Sequence, residues 1–447
     1  MTLDTIKPKF PSYKNKKVLI LGLGLLGRGI KDTIFFAKQG AKVIVTDLKT
    51  KKQLEPALKL LSPYKNITFV LGRHRFEDID RADLIIRNAD VPFNSKFLQY
   101  ALKQGKNVDM DESLFAEYCP CPIIGVTGTR GKTTTTILIA ELLKSTGRRV
   151  HLAGNIQGEA TLPLITKVKS SDLVVLELSS WQLQGFGWKK ISPHVAVFTN
   201  IYPDHLNRYK NMTEYINDKK HIYKHQTTDD FLIINRSNPT TKKLIKEANS
   251  RVITFSQSDF PPSYKTKLPG AHNKENIAAA IQVAKLFGVK AAAIKQVIAS
   301  FPGVAHRLEF VKTINGIDFY NDTTSTTPIA GQKALASFTK PIYLIAGGAT
   351  KKLDLTDFGR SIAKKAKLVA LLDGTATDAL ESAITKYQKT PKIVGRFDNL
   401  ETAVKTLYAA AKPGSIILLS PGCASFGLFA NEFDRGDQFK RIVKKLS

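Results

Sequence analysis

Thr127-Gly-Thr-Arg-Gly-Lys-Thr-Thr134 follows the apolar run Pro122-Ile-Ile-Gly-Val126 and precedes the helix-length stretch Thr135–Lys144. Strand, glycine turn and helix in that order describe the phosphate-binding edge of a parallel α/β sheet. Gly128 and Gly131 free backbone N–H groups to wrap phosphate oxygens. Lys132 brings positive charge to the β- and γ-phosphates, and Thr133 a hydroxyl for Mg2+. The general rule places a glycine five residues before Gly131, where this chain has Val126, so the loop is a variant. Consecutive threonines start a helix poorly, which favours phosphate binding over a merely structural turn.

The same pattern recurs on both sides of this segment. Lys17-Val-Leu-Ile-Leu21 leads into Gly22-Leu-Gly24-Leu-Leu-Gly27, and Ala41-Lys-Val-Ile-Val-Thr-Asp47 follows a helix-length gap. That is a βαβ unit with a formal dinucleotide or pyrophosphate fingerprint, Asp47 standing where a ribose-binding acid would. A tight turn with no ligand is the alternative. Beyond Phe301-Pro-Gly303, the runs Ile342–Ala346, Leu368–Leu372 and Ser415–Leu419 alternate with helical segments such as Leu400–Ala411. Continuous apolar strands separated by helices predict parallel sheets covered on both faces. The reading is α/β with three domains: Rossmann-like at 1–112, a central P-loop ATPase type at 113–302, and Rossmann-like at 303–447.

The 447 residues, 43% apolar and 23% charged, exclude long disorder, collagen and coiled coil. No apolar stretch approaches the ~20 residues of a membrane helix, and Met1 to Lys17 lacks a signal-peptide core, so a cytoplasmic protein is expected. Three cysteines (Cys119, Cys121, Cys423) make no disulfide framework, and Cys119-Pro-Cys121 reads as structural. Lys+Arg exceed Asp+Glu by 67 − 38 = 29. The excess is spread along the chain with no arginine-rich arm, so it describes a solvated surface better than a nucleic-acid footprint.

Glu177 ends the strand-like run Leu173–Leu176, where a lone carboxylate is costly unless paired or on a metal. Asp204-His205 follows Val195–Thr199 at the equivalent sheet edge. Mg2+ takes one or two carboxylates plus phosphates and water, which suits Glu177; a histidine ligand is less usual.

Together with the phosphate loop, several motifs resemble those of the Mur ligase family, over a span from Gly22 to Phe439. They are Glu177-Leu-Ser-Ser-Trp-Gln-Leu183, Asn200-Ile-Tyr-Pro-Asp-His-Leu-Asn-Arg-Tyr209, His272-Asn-Lys-Glu-Asn276 and His306-Arg-Leu-Glu309. Asn321-Asp-Thr-Thr324, Leu419-Ser-Pro-Gly-Cys-Ala-Ser425 and Arg435-Gly-Asp437 complete the set. The resemblance implies an ATP-dependent amide ligase of cytoplasmic peptidoglycan-precursor synthesis, monomeric, with no nucleic-acid or membrane partner. ATP would phosphorylate the carboxylate of UDP-N-acetylmuramoyl-L-alanine, and the amine of D-glutamate would attack the acyl phosphate.

Carried over by motif, Gly128, Thr129, Arg130, Gly131, Lys132, Thr133 and Thr134 hold the phosphates of ATP, with Asn276, Arg307 and Asp322 around adenine and ribose. Thr133 and Glu177 bind one Mg2+, and His205 joins a second, which in the family depends on a lysine carbamylated by CO2. Counting four residues from Tyr215 selects Lys219, with Lys220 as the adjacent alternative. Lys132, His205 and Lys219 are thus the expected catalytic residues. Gly24 and Leu25 would cradle the UDP diphosphate, Asp47 would lie near uracil, and Asn155 and Gln182 would face the muramoyl-alanine end. Lys351 would receive a glutamate carboxylate, with Thr326 and Ser425 as hydroxyl partners and Phe429 as a pocket wall.

The chain departs from the family pattern at named positions. Arg130 replaces an asparagine, Thr324 a lysine and Glu432 an aromatic, while Leu26 and Leu48 stand where hydroxyls are common. Arg87-Asn-Ala-Asp-Val-Pro92 replaces a Ser-Pro-Gly segment. The alternatives are a Mur-type ligase with another acceptor amino acid or carboxylate, folylpolyglutamate-type synthetases included, an NAD-linked dehydrogenase, and a nucleic-acid binder. The first-domain glycine turn favours a UDP-bearing substrate, and a dehydrogenase leaves Lys132, Thr133 and Glu177 unexplained.

Overall fold

The computed structural model describes residues 8–24, 27–156, 160–205, 208–351, 353–387 and 392–446. They divide into two compact units, one of residues 1–262 with 275–297, the other of residues 263–274 with 298–447. Among the described residues the first unit holds two sheets and the second unit one.

The first sheet has five parallel strands, β1 (Lys17–Leu21), β2 (Lys42–Asp47), β3 (Ile67–Leu71), β4 (Leu84–Arg87) and β5 (Val108–Asp109), in the order β3-β2-β1-β4-β5. The second comprises β6 (Ile123–Thr127), β7 (Val150–Gly154), β8 (Leu173–Glu177), β9 (Val195–Phe198), β10 (Phe231–Asn235) and β11 (Arg251–Phe255). Its order is β11-β10-β9-β6-β8-β7. In both sheets the order reverses beside the strand that feeds a glycine turn, β1 and β6. A crevice at the carboxyl ends of such strands is where α/β sheets bind ligands.

Helix Asp111–Tyr118 joins the two sheets of the first unit. Its Leu114 and Phe115 are buried in an apolar core shared with Phe36 of the first sheet's layer and Phe186 and Phe198 of the second. Cys119 and Cys121 are buried in the same core, so the Cys-Pro-Cys segment is a packing element.

The second unit contains β12 (Glu309–Ile314), β13 (Ile317–Asn321), β14 (Ile342–Gly347), β15 (Ala366–Leu372), β16 (Ile393–Phe397) and β17 (Ile416–Leu419), in the order β12-β13-β17-β14-β15-β16. The expectation of wholly parallel sheets needs one correction, because β12 runs antiparallel to β13. The cause is local: Asn315 and Gly316, at φ 49° and 74°, form the tight turn that an Asn-Gly pair favours between hairpin strands. Three adjacent strands, β13, β17 and β14, bring Asp322, the Ser420–Ser425 loop and the Gly347–Lys351 loop to one edge. Among the described residues no helix is long and apolar enough to cross a membrane.

Candidate functional site

The loop after β6 is held open by backbone geometry and cross-strand hydrogen bonds. Gly128 and Gly131 have φ of 147° and 80°, and a methyl group on either would collide, at Gly128 with Thr199 Oγ1 (1.9 Å) and at Gly131 with Asn276 Oδ1 (2.2 Å). The second contact brings Asn276 against the loop. From the end of β9, Asn200 accepts the Thr129 N–H at its carbonyl (2.9 Å) and the Arg130 N–H at Oδ1 (2.9 Å), while Thr199 Oγ1 donates to the Arg130 carbonyl (2.7 Å). The Lys132 ammonium lies over the loop, donating to the carbonyls of Gly128 (3.0 Å) and Thr129 (3.3 Å). Thr133 and Thr134 follow in the first turn of helix Lys132–Lys144, whose N-terminus favours an anion.

Three further groups converge on the loop. Lys219, 2% exposed on helix Met212–Lys220, donates to the Gly128 carbonyl (3.0 Å) and lies 4.9 Å from the Tyr215 ring centre. Burial, with the positive charge of Lys132 next, pushes its pKa well below the ordinary lysine value, against the carboxylates of Asp204, Asp218 and Glu177. Lys220 instead pairs with Glu247. The structure therefore brings Lys219, and not its neighbour, to the loop. His205 has φ 56° and packs on Trp181, ring centres 4.8 Å apart. Burial lowers its pKa, and the charges of Lys132, Lys219 and Arg130 act in the same direction against Asp204. Glu177 ends β8 in register with Val126 and Gly154. Its Oε1 accepts from Asn155 Nδ2 (3.2 Å), whereas Oε2 is buried with no hydrogen-bond partner.

An orphaned buried carboxylate oxygen beside a phosphate loop is a fitting ligand for Mg2+. Among the described residues no three His, Cys, Asp or Glu side chains form a preformed metal cage.

The first-domain glycine turn is pinned by Asp47, whose Oδ2 accepts the N–H groups of Leu23 (2.9 Å) and Gly24 (3.0 Å). This acid shapes the turn and is buried, so the lone pairs expected for a ligand are largely used by the backbone. Leu25, expected to touch the diphosphate, lies outside the described residues. Gln182 is also turned inward: its Oε1 accepts the Ser179 N–H (2.8 Å) and its Nε2 donates to Glu112. Asn155 is exposed beside Glu177. Near His205, Trp181 is also part of the wall of a cavity of about 670 Å3, with Arg87, Phe93, Trp188, Arg208 and Asp218. Arg87 donates to Gln184 (2.5 Å), which donates to Asp218 (2.6 Å), the residue before Lys219.

In the second unit, Asp322 is buried at the end of β13, accepting from Leu308 N (3.1 Å) and Ser420 Oγ (2.8 Å). Burial raises its pKa to about 7 against those bonds and the charges of Arg307 and Arg435. Arg307 is exposed between His306 and Leu308, both at positive φ. Arg435 is fully buried, its guanidinium on Thr323 Oγ1 (3.0 Å) and the Thr323 carbonyl (2.9 Å), so this arginine ties the last helix to the end of β13. Lys351 donates to Thr326 Oγ1 (2.9 Å), and both line a shallow recess with Ala349, Gly422 and Cys423. Hydrogen bonds between Ala349 and Ala424 tie this loop to the one bearing Ser425, which accepts the Phe429 N–H at its carbonyl (3.3 Å). Thr324, where a lysine is usual, donates to the His306 carbonyl (2.8 Å).

Two groups were given no role of their own in the sequence reading. Thr199 and Asn200 brace the phosphate loop, and Arg28, next to Gly27, reaches Gly154 and Glu112. Arg28 gave no signal, because sequence does not show where a long side chain ends.

A P-loop sheet with a buried lysine, an unpartnered carboxylate oxygen and a histidine beside its glycine loop is a site of the ATP-dependent class. Residues 126–265 match the Mur ligase middle domain and residues 306–423 the Mur ligase glutamate ligase domain. The chain is 40% identical to the UDP-N-acetylmuramoylalanine–D-glutamate ligase of Roseiflexus sp. (strain RS-1), over 97% of this chain and 99% of that one. It is 36% identical to the same-named protein of Thermoanaerobacter sp. (strain X514), again over 97% and 99%. Among solved structures it resembles UDP-N-acetylmuramate-alanine ligase MurC of Thermotoga maritima, at TM-score 0.61 and 17% identity, covering 96% and 99% of the two chains. The MurF ligase of Thermotoga maritima in complex with ADP gives TM-score 0.59 at 19% identity, with 98% and 97% covered. The chain belongs to the Mur ligase family, whose members are ATP-dependent amide ligases.

Proposed function

We propose that this chain ligates D-glutamate to UDP-N-acetylmuramoyl-L-alanine at the expense of ATP, in the bacterial cytoplasm and as a monomer. The observation that carries the reading is the convergence of Lys132, Lys219, His205 and the free Glu177 oxygen on one glycine loop. A carboxylate is a poor electrophile, and ATP and the UDP-substrate are both anions. Lys132 and the loop N–H groups offset that repulsion as a carboxylate oxygen attacks the γ-phosphorus and ADP leaves. The amine of D-glutamate then adds to the acyl carbon, loses a proton, and phosphate departs. Gly128–Thr134 would hold the phosphates, and Asn276, Arg307 and Asp322 the adenosine.

Two Mg2+ ions would supply charge neutralisation when bound, Thr133 and Glu177 serving one and His205 with Lys219 the other. Lys219 suits carbamylation because burial favours its neutral amine, the form that attacks CO2; the product is an anion that offsets Lys132. Gly24, Leu25, Asp47, Asn155 and Gln182 would serve the UDP-substrate, Asp47 and Gln182 by shaping the turn and helix that meet it. Thr326, Lys351, Ser425 and Phe429 would receive D-glutamate. Residues 1–112, 113–302 and 303–447 would be the corresponding UDP-substrate, ATP and amino-acid domains.

The test is phosphate release from ATP and Mg2+ with UDP-N-acetylmuramoyl-L-alanine, comparing D-glutamate with L-glutamate and other amino acids. Release specific to D-glutamate, with a product one glutamyl unit heavier, is expected. Release with a different amino acid would favour the alternative ligase, whose basis is the neutral Thr324 and acidic Glu432 of the presumed acceptor region.

A further inference from the structure

Arg28 is the first residue of helix Arg28–Lys38, directly after the left-handed Gly27 of the first-domain turn. Its main chain therefore belongs to the helix N-terminus that meets the diphosphate in the function proposed above, on which this inference rests. Its side chain leaves that domain. Nη2 donates to the carbonyl of Gly154 at 3.0 Å, and Nη1 lies 3.4 Å from Glu112 Oε1. Gly154 is the last residue of β7, paired with Glu177 across the sheet. The next residue, Asn155, donates its N–H to the Glu177 carbonyl (2.7 Å) and its side-chain amide to Glu177 Oε1 (3.2 Å). One chain of contacts thus runs from the glycine turn, through a guanidinium and a two-residue turn, to the carboxylate whose other oxygen is unpartnered.

The charges around Arg28 show why arginine is required. Asp32, Asp111 and Glu112 are buried nearby, and each keeps an oxygen without a hydrogen-bond partner. Burial opposes the Arg28 charge, but Glu112, Asp111, Asp32 and Glu177 outweigh it and raise its pKa. The planar fork fixes the directions in which Arg28 meets a carbonyl and a carboxylate; a lysine ammonium keeps the charge and loses that fixed two-point geometry.

We propose that Arg28 is a positioning residue that couples occupancy of the first-domain glycine turn to divalent-cation binding at Glu177. A diphosphate at the helix N-terminus restrains the Arg28 main chain and so its grip on Gly154. Asn155 is then held on Oε1, and Oε2 stays presented to the cation. Coupling between binding sites is reciprocal, so the cation must tighten the UDP-substrate by the same factor.

The experiment measures Mn2+ binding by electron paramagnetic resonance on the full chain with a non-hydrolysable ATP analogue, with and without UDP-N-acetylmuramoyl-L-alanine. In the unsubstituted protein the substrate should raise Mn2+ affinity about fivefold or more. Arg28→Met should reduce that factor to near one while leaving affinity for the ATP analogue unchanged, and Arg28→Lys should retain part of it. In turnover, Arg28→Met should raise KM for the UDP-substrate and the Mg2+ requirement together. If Arg28→Met does not fold, as judged by circular dichroism, the same factor read in Arg28→Lys and Arg28→Gln decides. Full coupling in a folded variant lacking the fork overturns the role of Arg28. Failure of the unsubstituted protein to bind the UDP-substrate at all overturns the functional reading as well, so the two failures are distinguishable.

Discussion

Lys219 and Lys220 are neighbours in sequence with opposite fates. Lys219 is buried on the phosphate loop, while Lys220 forms a partly exposed pair with Glu247. Lys219→Ala should lower kcat/KM by about 10²–10³-fold, the scale of losing a charge aimed at the reacting centre. Lys220→Ala should change stability by less than about 1 kcal/mol and leave turnover intact. Steady-state kinetics on both variants checks this. A carbamate carbon resonance from 13C-labelled CO2, present in the parent and absent in Lys219→Ala, checks the modification. Asp322 gives a pH prediction. Its folded pKa is raised to about 7, so its contribution to stability is complete below about pH 4, falls as the unfolded chain releases its proton, and is gone above about 7. Asp322→Asn removes this titration. Urea unfolding at pH 5 and pH 8 should show the variant gaining relative to the parent at the higher pH.

At the scale of elements, the phosphate loop, Glu177, Asp322 and the Ser420–Ser425 loop stand at the carboxyl ends of parallel strands, whereas Lys219 comes from the last turn of helix Met212–Lys220 and Asn276 from within helix Ala271–Leu286. The glycine loop is the least tolerant of them. Gly128→Ala would need a side chain at φ 147° and within 1.9 Å of Thr199 Oγ1, so the loop must deform. ATP-dependent turnover should fall by about 10²-fold or more while the fold persists, the strain being of order 1–3 kcal/mol. Analogue binding against thermal denaturation separates the two. Helix Asp111–Tyr118 has the opposite role: Phe115 is fully buried in the core common to both sheets of the first unit. Phe115→Ala should cost about 3–5 kcal/mol, read as a lower urea midpoint with an unchanged slope.

Over the whole molecule the net charge of +29 acts on substrates that are all anionic. Steering by a diffuse positive field is a rate effect that salt screens, the Debye length shrinking from about 10 Å at 0.1 M to about 3 Å at 1 M. Raising KCl from about 0.05 to 0.5 M should lower kcat/KM for the UDP-substrate about 3–10-fold with kcat nearly constant. A comparable fall in kcat would locate the effect in the chemistry instead.

The sequence by itself determined the repeating strand–turn–helix order, the phosphate loop and the family, because backbone requirements such as Gly128 and Gly131 and apolar runs such as Ile123–Val126 are local properties. It also selected Lys219 by its spacing from Tyr215, with Lys220 left as the adjacent alternative. The tertiary structure decided the rest, since side-chain destinations depend on packing between distant segments. Only there does Asp47 turn back onto its own glycine turn, Gln182 onto Glu112, and Arg28 out to Gly154. The hairpin at Asn315-Gly316 carried a local signal of its own, and it was hidden because its strands were read with the parallel pattern around them. The free oxygen of Glu177 was beyond any sequence reading, because a missing partner is a property of the whole neighbourhood and not of the residue.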